Sequence, residues 1–179
     1  MIIIISGASH TGKTVLAQKL LEKYKYPYLS EDLLKMGLIR SRQTSLTPED
    51  DRELTPYLWG IVKEIIKTAV ENDQNLIVEG CYVPFGWEKS FDENYLPHIK
   101  AYFLVMTESY IRNNFKLIKK HACDVEKRLS DDWYDEEILI SENRFYLDGC
   151  KEHGCEIIMI DKGYCAEEGF HDLFEMRQQ

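Results

Sequence analysis

Residues 7 to 14 read GASHTGKT, a glycine, four intervening residues and then Gly-Lys-Thr, and each fixed position has a job in holding a chain of phosphates. Gly7 and Gly12 allow the backbone to turn tightly. The N–H groups of Ala8, Ser9, His10, Thr11 and Gly12 then converge on phosphate oxygens, helped by the positive end of a helix starting at Lys13. The Lys13 ammonium reaches the β- and γ-phosphates, and the Thr14 hydroxyl is an oxygen donor suited to magnesium. The expected ligands are ATP and Mg²⁺. Ser9 and His10 are expected to serve through their backbone, with His10 read as a solvated loop side chain.

Such a turn works only between a buried strand and a helix. Ile2 to Ile5 form an unbroken β-branched run, as in a strand covered on both faces of a parallel sheet. After Lys13, the apolar residues Val15, Leu16, Leu20 and Leu21 recur at helical spacing as far as Tyr24. Further short buried strands are predicted at Pro27–Ser30, Asn75–Glu79, Ala101–Met106 and Glu156–Ile160. Helices are predicted at Leu58–Val70, Glu108–His121 and Asp135–His153. Strands alternating with helices imply right-handed crossovers, so the fold class is α/β, with a five-stranded parallel sheet and helices on both faces. One domain spanning residues 1–179 is expected, with no repeat or linker.

The composition agrees. Hydrophobic residues at 44% and charged residues at 30% are enough for one core and one solvated surface. The net charge of −9 opposes a nucleic-acid backbone, so no long nucleic-acid partner is expected. A few cations in one pocket still suffice for a phosphorylated ligand. Five cysteines without paired spacing, and no apolar run long enough to span a bilayer, favour reduced thiols, a cytoplasmic location and no membrane contact. Cys150, His153 and Cys155 lack the four-ligand pattern of structural zinc. A monomer or homodimer is expected.

A GTPase would carry an NKxD segment after a late strand, and none is present. Motor-type ATPases need a longer chain. With GASHTGKT, YLSEDLLKMGLIR and LIVEGCYVP in this order, the sequence resembles the small P-loop kinases, a group that includes adenylate, shikimate, chloramphenicol and 2-phosphoglycerate kinases and the zeta-toxin-like proteins. The resemblance covers the order of elements across most of the chain, and its most specific motif is the Walker A segment. It implies a three-layer P-loop NTPase fold with a small helical lid, here at about residues 116–135. It also implies transfer of the γ-phosphoryl group of ATP to a small hydroxyl, carboxylate or phosphate acceptor, with phosphorylated metabolites and nucleotides among the candidates.

Several roles follow from that likeness. Lys13, Asp32 and Arg128 are the catalytic candidates: Asp32 after the second strand would hold the acceptor and take its proton, and Arg128 in the basic segment KLIKKHACDVEKR would serve the lid, with Arg112 as second choice. Asp32 is equally a good helix-starting residue beside Ser30. Glu79 and Gly80 end the third strand, where an acid would reach the acceptor or the outer shell of magnesium and a glycine would admit substrate closely. Arg40, ahead of Arg42, would anchor an acidic group of the acceptor. Tyr57, Trp59, Tyr82, Phe85 and Trp87 are candidates for the acceptor wall, although aromatic residues at such spacings belong more often to the core. Two other readings remain open: a nucleotide-binding sensor without an acceptor, and a zeta-toxin-like kinase acting on a sugar-nucleotide or polynucleotide end.

Overall fold

The computed structural model describes residues 1–121 and 135–162. Strand β1 (Ile2–Gly7) leads into α1 (Lys13–Tyr24), β2 (Tyr28–Ser30), α2 (Glu31–Arg40), α3 (Asp51–Glu71) and β3 (Leu76–Glu79). Two short 3₁₀ turns precede β4 (Ile99–Met106), followed by α4 (Glu108–His121), α5 (Glu136–His153) and β5 (Glu156–Ile160). The five strands lie in the order β2-β3-β1-β4-β5, and every pairing is parallel. The α/β class and the five-stranded parallel sheet are therefore as the sequence indicates.

Ile2, Ile3, Ile4 and Ile5 are all fully buried, because β1 is the central strand and has a helical layer on each face. Ile3 and Ile5 pack with Leu16, Ala17 and Leu20 of α1, with Ile111 and Ile118 of α4 and with Leu139 and Ile140 of α5. Ile2 and Ile4 pack on the opposite side with Trp59, Val62 and Ile66 of α3, and with Trp87 and Phe91. Burying each such side chain is worth roughly 1.5–3 kcal/mol, so this strand anchors the whole sheet and fixes where its carboxyl end lies. Trp59 and Trp87 are thus core residues and do not wall a pocket.

Two expectations need correction. Helix α3 begins at Asp51, seven residues before Leu58. Its first turns are mostly polar and solvated, and the apolar stripe continues through Leu54 and Leu58, which pack with Tyr82 against residues of α2. Strand β4 begins at Ile99, because exposed Lys100 interrupts the apolar run but not the ladder, pairing with Ile3. Helix α4 has the predicted bounds, so residues 116–121 of the expected lid segment form its last turns. The rest of that segment through residue 134, with Arg128, lies outside the described residues.

Gly7 belongs to the ladder as well as to the turn. It has φ 131°, and a Cβ there would sit 2.2 Å from the Leu104 carbonyl oxygen of β4. No larger residue fits without parting β1 from β4.

Candidate functional site

The turn after β1 has the backbone shape that a phosphate cradle requires. Gly12 is left-handed (φ 81°, ψ 23°), and His10 also adopts positive φ at 60°. Alternation of this kind turns successive N–H groups toward one concave side. Thr11 is fully buried, and its hydroxyl braces the loop by donating to the Ala8 carbonyl at 2.8 Å. The Lys13 ammonium lies back across the turn, donating to the Gly7 and Ala8 carbonyls at 3.1 and 2.8 Å. A terminal phosphate is the stronger partner for an ammonium, since charge-assisted hydrogen bonds exceed those to neutral carbonyls. The Ser9 amide donates to Glu142 Oε2 of α5 at 3.3 Å, so a carboxylate holds one of the cradle amides, a contact that no local motif announces.

Carboxyl groups from β2 and β3 meet the helix start. The Thr14 hydroxyl donates to Glu79 Oε2 at 3.2 Å, and Glu79 is 2% exposed. Ser30 of β2 pairs with Glu79 of β3, which sets the first residue of α2 beside the end of β3. That residue is Glu31, fully buried. Its Oε2 accepts from the Tyr82 amide at 2.8 Å, while its Oε1 has no hydrogen-bond partner in the structure. A Cβ on Gly80 would lie 2.3 Å from Glu31 Oε2. Gly80 is therefore needed to seat the Glu31 side chain.

Thr14 and Glu79 fit a magnesium site by the chemistry of their donors, a hydroxyl and a carboxylate oxygen in hydrogen-bond contact. Magnesium accepts few protein ligands and completes its octahedron with phosphate oxygens and water.

No protein-family model matches the chain, and no curated protein matches it. Solved structures do. The chain is similar to a shikimate kinase from Bacteroides thetaiotaomicron (13% identity over 100% of this chain and 99% of that one, TM-score 0.54). It is also similar to a gluconokinase from Sinorhizobium meliloti (14% identity, 97% and 93%, TM-score 0.52) and to an uncharacterized protein from Eubacterium ventriosum (16%, 99% and 98%, TM-score 0.55). The fold is that of the small P-loop kinases. Identities this low carry the fold and nothing finer.

In this P-loop fold the remaining site residues sort by position. Asp32 does not share the burial of its neighbour: its side chain is 39% exposed and forms an ion pair with Lys35 at 2.7 Å. Lys35, only 13% exposed, also donates to the Tyr82 hydroxyl at 2.8 Å, which in turn donates to Asp51 Oδ1 at 2.7 Å. This chain of contacts ties α2, α3 and the segment after β3 together. Tyr82 is therefore the one aromatic candidate whose polar end lies among these charged groups. Phe85 packs instead near Phe103 and Tyr146. Arg40 is exposed at the far end of α2, eight residues beyond Asp32 and so about 12 Å along the axis. Arg112 is held by Glu108, Glu136 and Glu137 at 2.8–2.9 Å, which takes up its charge between α4 and α5.

Glu31, which also follows the second strand, was passed over for Asp32 because Asp32 directly precedes Leu33, Leu34 and Lys35 as the helix begins. The signal available in the sequence was weak: Ser-Glu-Asp places the glutamate on the strand side of the helix start, where burial is decided by the neighbouring strand. That burial pushes the Glu31 carboxyl up from 4.5 to about 8, against the opposing pull of the Tyr82 amide, with the charges of Asp32 and Glu79 adding to the rise. Between these two values the folded chain keeps a proton that the unfolded chain releases. The stability owed to this group is therefore complete below about pH 4.5 and is lost as pH rises through about 8. In magnesium-free buffer Glu31→Gln should melt higher than wild type at pH 8.5, by roughly 5 °C, and the gap should close at pH 4.5. Thermal melts across that range check it; a gap independent of pH contradicts a buried carboxyl at this position.

Proposed function

We propose that the protein is an ATP- and magnesium-dependent phosphotransferase acting on a small-molecule acceptor. One observation carries this reading: the phosphate turn, the Thr14–Glu79 pair and the buried Glu31 carboxyl lie together at the carboxyl ends of β1, β2 and β3. A pure nucleotide binder needs the turn and the Thr14–Glu79 pair but has no use for a second buried carboxyl, Glu31, beside them.

In this reading the amides from Ala8 to Gly12 hold the β- and γ-phosphates, and Lys13 exchanges its two carbonyl partners for phosphate oxygens. Thr14 and Glu79 would hold magnesium, which neutralises phosphate charge when bound. Glu31 Oε1 accepts a hydrogen bond from the acceptor hydroxyl, orients it toward the γ-phosphorus and takes its proton as the new P–O bond forms and the bond from the γ-phosphorus to the β–γ bridging oxygen breaks, releasing ADP. Asp32, the first candidate for that task by resemblance, positions Lys35 instead. Catalysis is positioning and charge stabilisation, with no covalent enzyme intermediate.

The deciding experiment follows ADP release with Mg–ATP across a panel of small acceptors, beside a no-acceptor control. Acceptor-dependent release at least about tenfold above control, with a ³¹P signal for the phosphorylated acceptor, is expected. Tight nucleotide binding with no acceptor effect would mark a sensor and sink the transferase reading.

A further inference from the structure

We infer that Glu142 of α5 takes the place of a phosphate in the nucleotide-free protein, so that ATP binds by displacing its carboxylate from the turn after β1. The inference rests on the nucleotide half of the reading above and adds a control to that site. The empty cradle is occupied from within, and this internal competitor sets how tightly a triphosphate is held.

The Ser9 amide donates to Glu142 Oε2 at 3.3 Å, across 133 residues of chain. Ser9 is the third residue of GASHTGKT, and its amide is one of those that such a turn directs at phosphate oxygens. To an N–H donor a carboxylate offers what a phosphate offers, an anionic oxygen with open lone pairs. The acceptor groups of the turn are covered too. Lys13 folds back onto the Gly7 and Ala8 carbonyls at 3.1 and 2.8 Å. The empty turn thus holds an anion against a donor and a cation against two acceptors, and a triphosphate must replace both sets of contacts.

Glu142 and a triphosphate exclude one another at Ser9. An N–H aligned on one oxygen is poorly aligned on a second, and a carboxylate left in contact with phosphate oxygens adds like-charge repulsion. The surroundings also decide which part moves. Asn143, 2% exposed, accepts from the Met106 amide at 2.7 Å, and the Tyr146 hydroxyl donates to the Cys81 carbonyl at 2.9 Å. These contacts fix the backbone of α5 to the end of β4 and to the segment after β3, whereas the Glu142 side chain is only half-buried. Displacement is therefore a rotamer change of one glutamate and not a shift of the helix. Because the contact lies near solvent, it is partly screened, and its effect on affinity should not exceed about tenfold.

The test measures the affinity of the full-length chain for a non-hydrolysable Mg–ATP analogue by calorimetry, in wild type, in Glu142→Gln and in Asp148→Asn. Asp148 serves as the charge control: it is exposed on the same helix, six residues on and so about 9 Å along the axis. Glu142→Gln should bind about three- to tenfold more tightly than wild type, and the gain should shrink as salt is raised. Asp148→Asn should stay within about 1.5-fold of wild type, since a distant exposed charge is screened. In the ¹⁵N–¹H spectrum of the nucleotide-free chain, the Ser9 resonance should move in Glu142→Gln and stay in place in Asp148→Asn. An affinity in Glu142→Gln equal to or weaker than wild type overturns the inference, because a side chain that braces the turn for nucleotide would be missed on removal. An equal gain in Asp148→Asn also overturns it, the effect then being the field of α5 and not a contact at Ser9. So does a Ser9 resonance that Glu142→Gln leaves unmoved. Failure of wild type to bind the analogue would overturn the parent reading, and this one with it, on the calorimetric readout alone.

Discussion

Lys13→Ala is expected to lower acceptor-dependent phosphoryl transfer by roughly 10²- to 10³-fold, the usual cost of removing one group that meets charge developing in a transition state. The fold should survive. Lys13 makes its two hydrogen bonds only to the carbonyls of Gly7 and Ala8, so its loss strands no buried charge and leaves the β1 ladder with β3 and β4 untouched. Lys13→Arg should be nearly as damaging, because a planar fork cannot take the place of a compact ammonium between two phosphates. Steady-state rates, read beside circular dichroism and a melting curve, check the pair. A rate within about threefold of wild type would remove the turn from the chemistry.

Glu31→Gln should lower kcat by roughly 10²- to 10⁴-fold, the range supplied by a positioned general base, while Mg–ATP affinity stays close to wild type. The amide can still accept from the Tyr82 N–H, so the geometry is kept and only the proton acceptor is lost. This variant should therefore be more stable at alkaline pH and far less active, a combination that separates a functional carboxyl from a merely structural one. The pH profile sharpens the test. Because burial raises the free-protein carboxyl to about 8, kcat/KM of the wild type should climb with pH toward that value, and Glu31→Gln should lack that limb. Asp32→Asn should act more mildly and chiefly through KM, by freeing Lys35. Equal losses of kcat in both variants would return the base to Asp32.

Much of the fold was legible because its strongest signals are local. Ile2–Ile5 could only be a doubly covered strand, and the pattern after Lys13 could only be a helix; together they positioned the turn between them. The starts of α3 and β4 were less legible. Polar first turns carry no apolar stripe, and a single exposed lysine in β4 is tolerated because its backbone still pairs with β1. The turn from Gly7 to Thr14 was readable as a strand-to-helix connection, since its glycines and the apolar pattern on either side lie within a short stretch of chain.

The acceptor side was not readable in the same way. Glu31 and Asp32 are neighbours of the same charge, and the ground for preferring Asp32, its place ahead of Leu33, Leu34 and Lys35, says nothing of which of the two is buried. Tertiary structure separates them: Glu31 is closed in by Gly80 and Tyr82 from the end of β3, about fifty residues away, whereas Asp32 turns out to pair with Lys35. Lys35 was passed over for Arg40 for the same reason, because its contacts come from α3 and from the segment after β3. Sequence by itself determined the turn from Gly7 to Thr14, where every contributing group is within a few bonds of the next. Packing alone decided the surroundings of Glu31 and Lys35, because burial and charge pairing depend on residues that meet only when the β2, β3 and α3 segments are brought together.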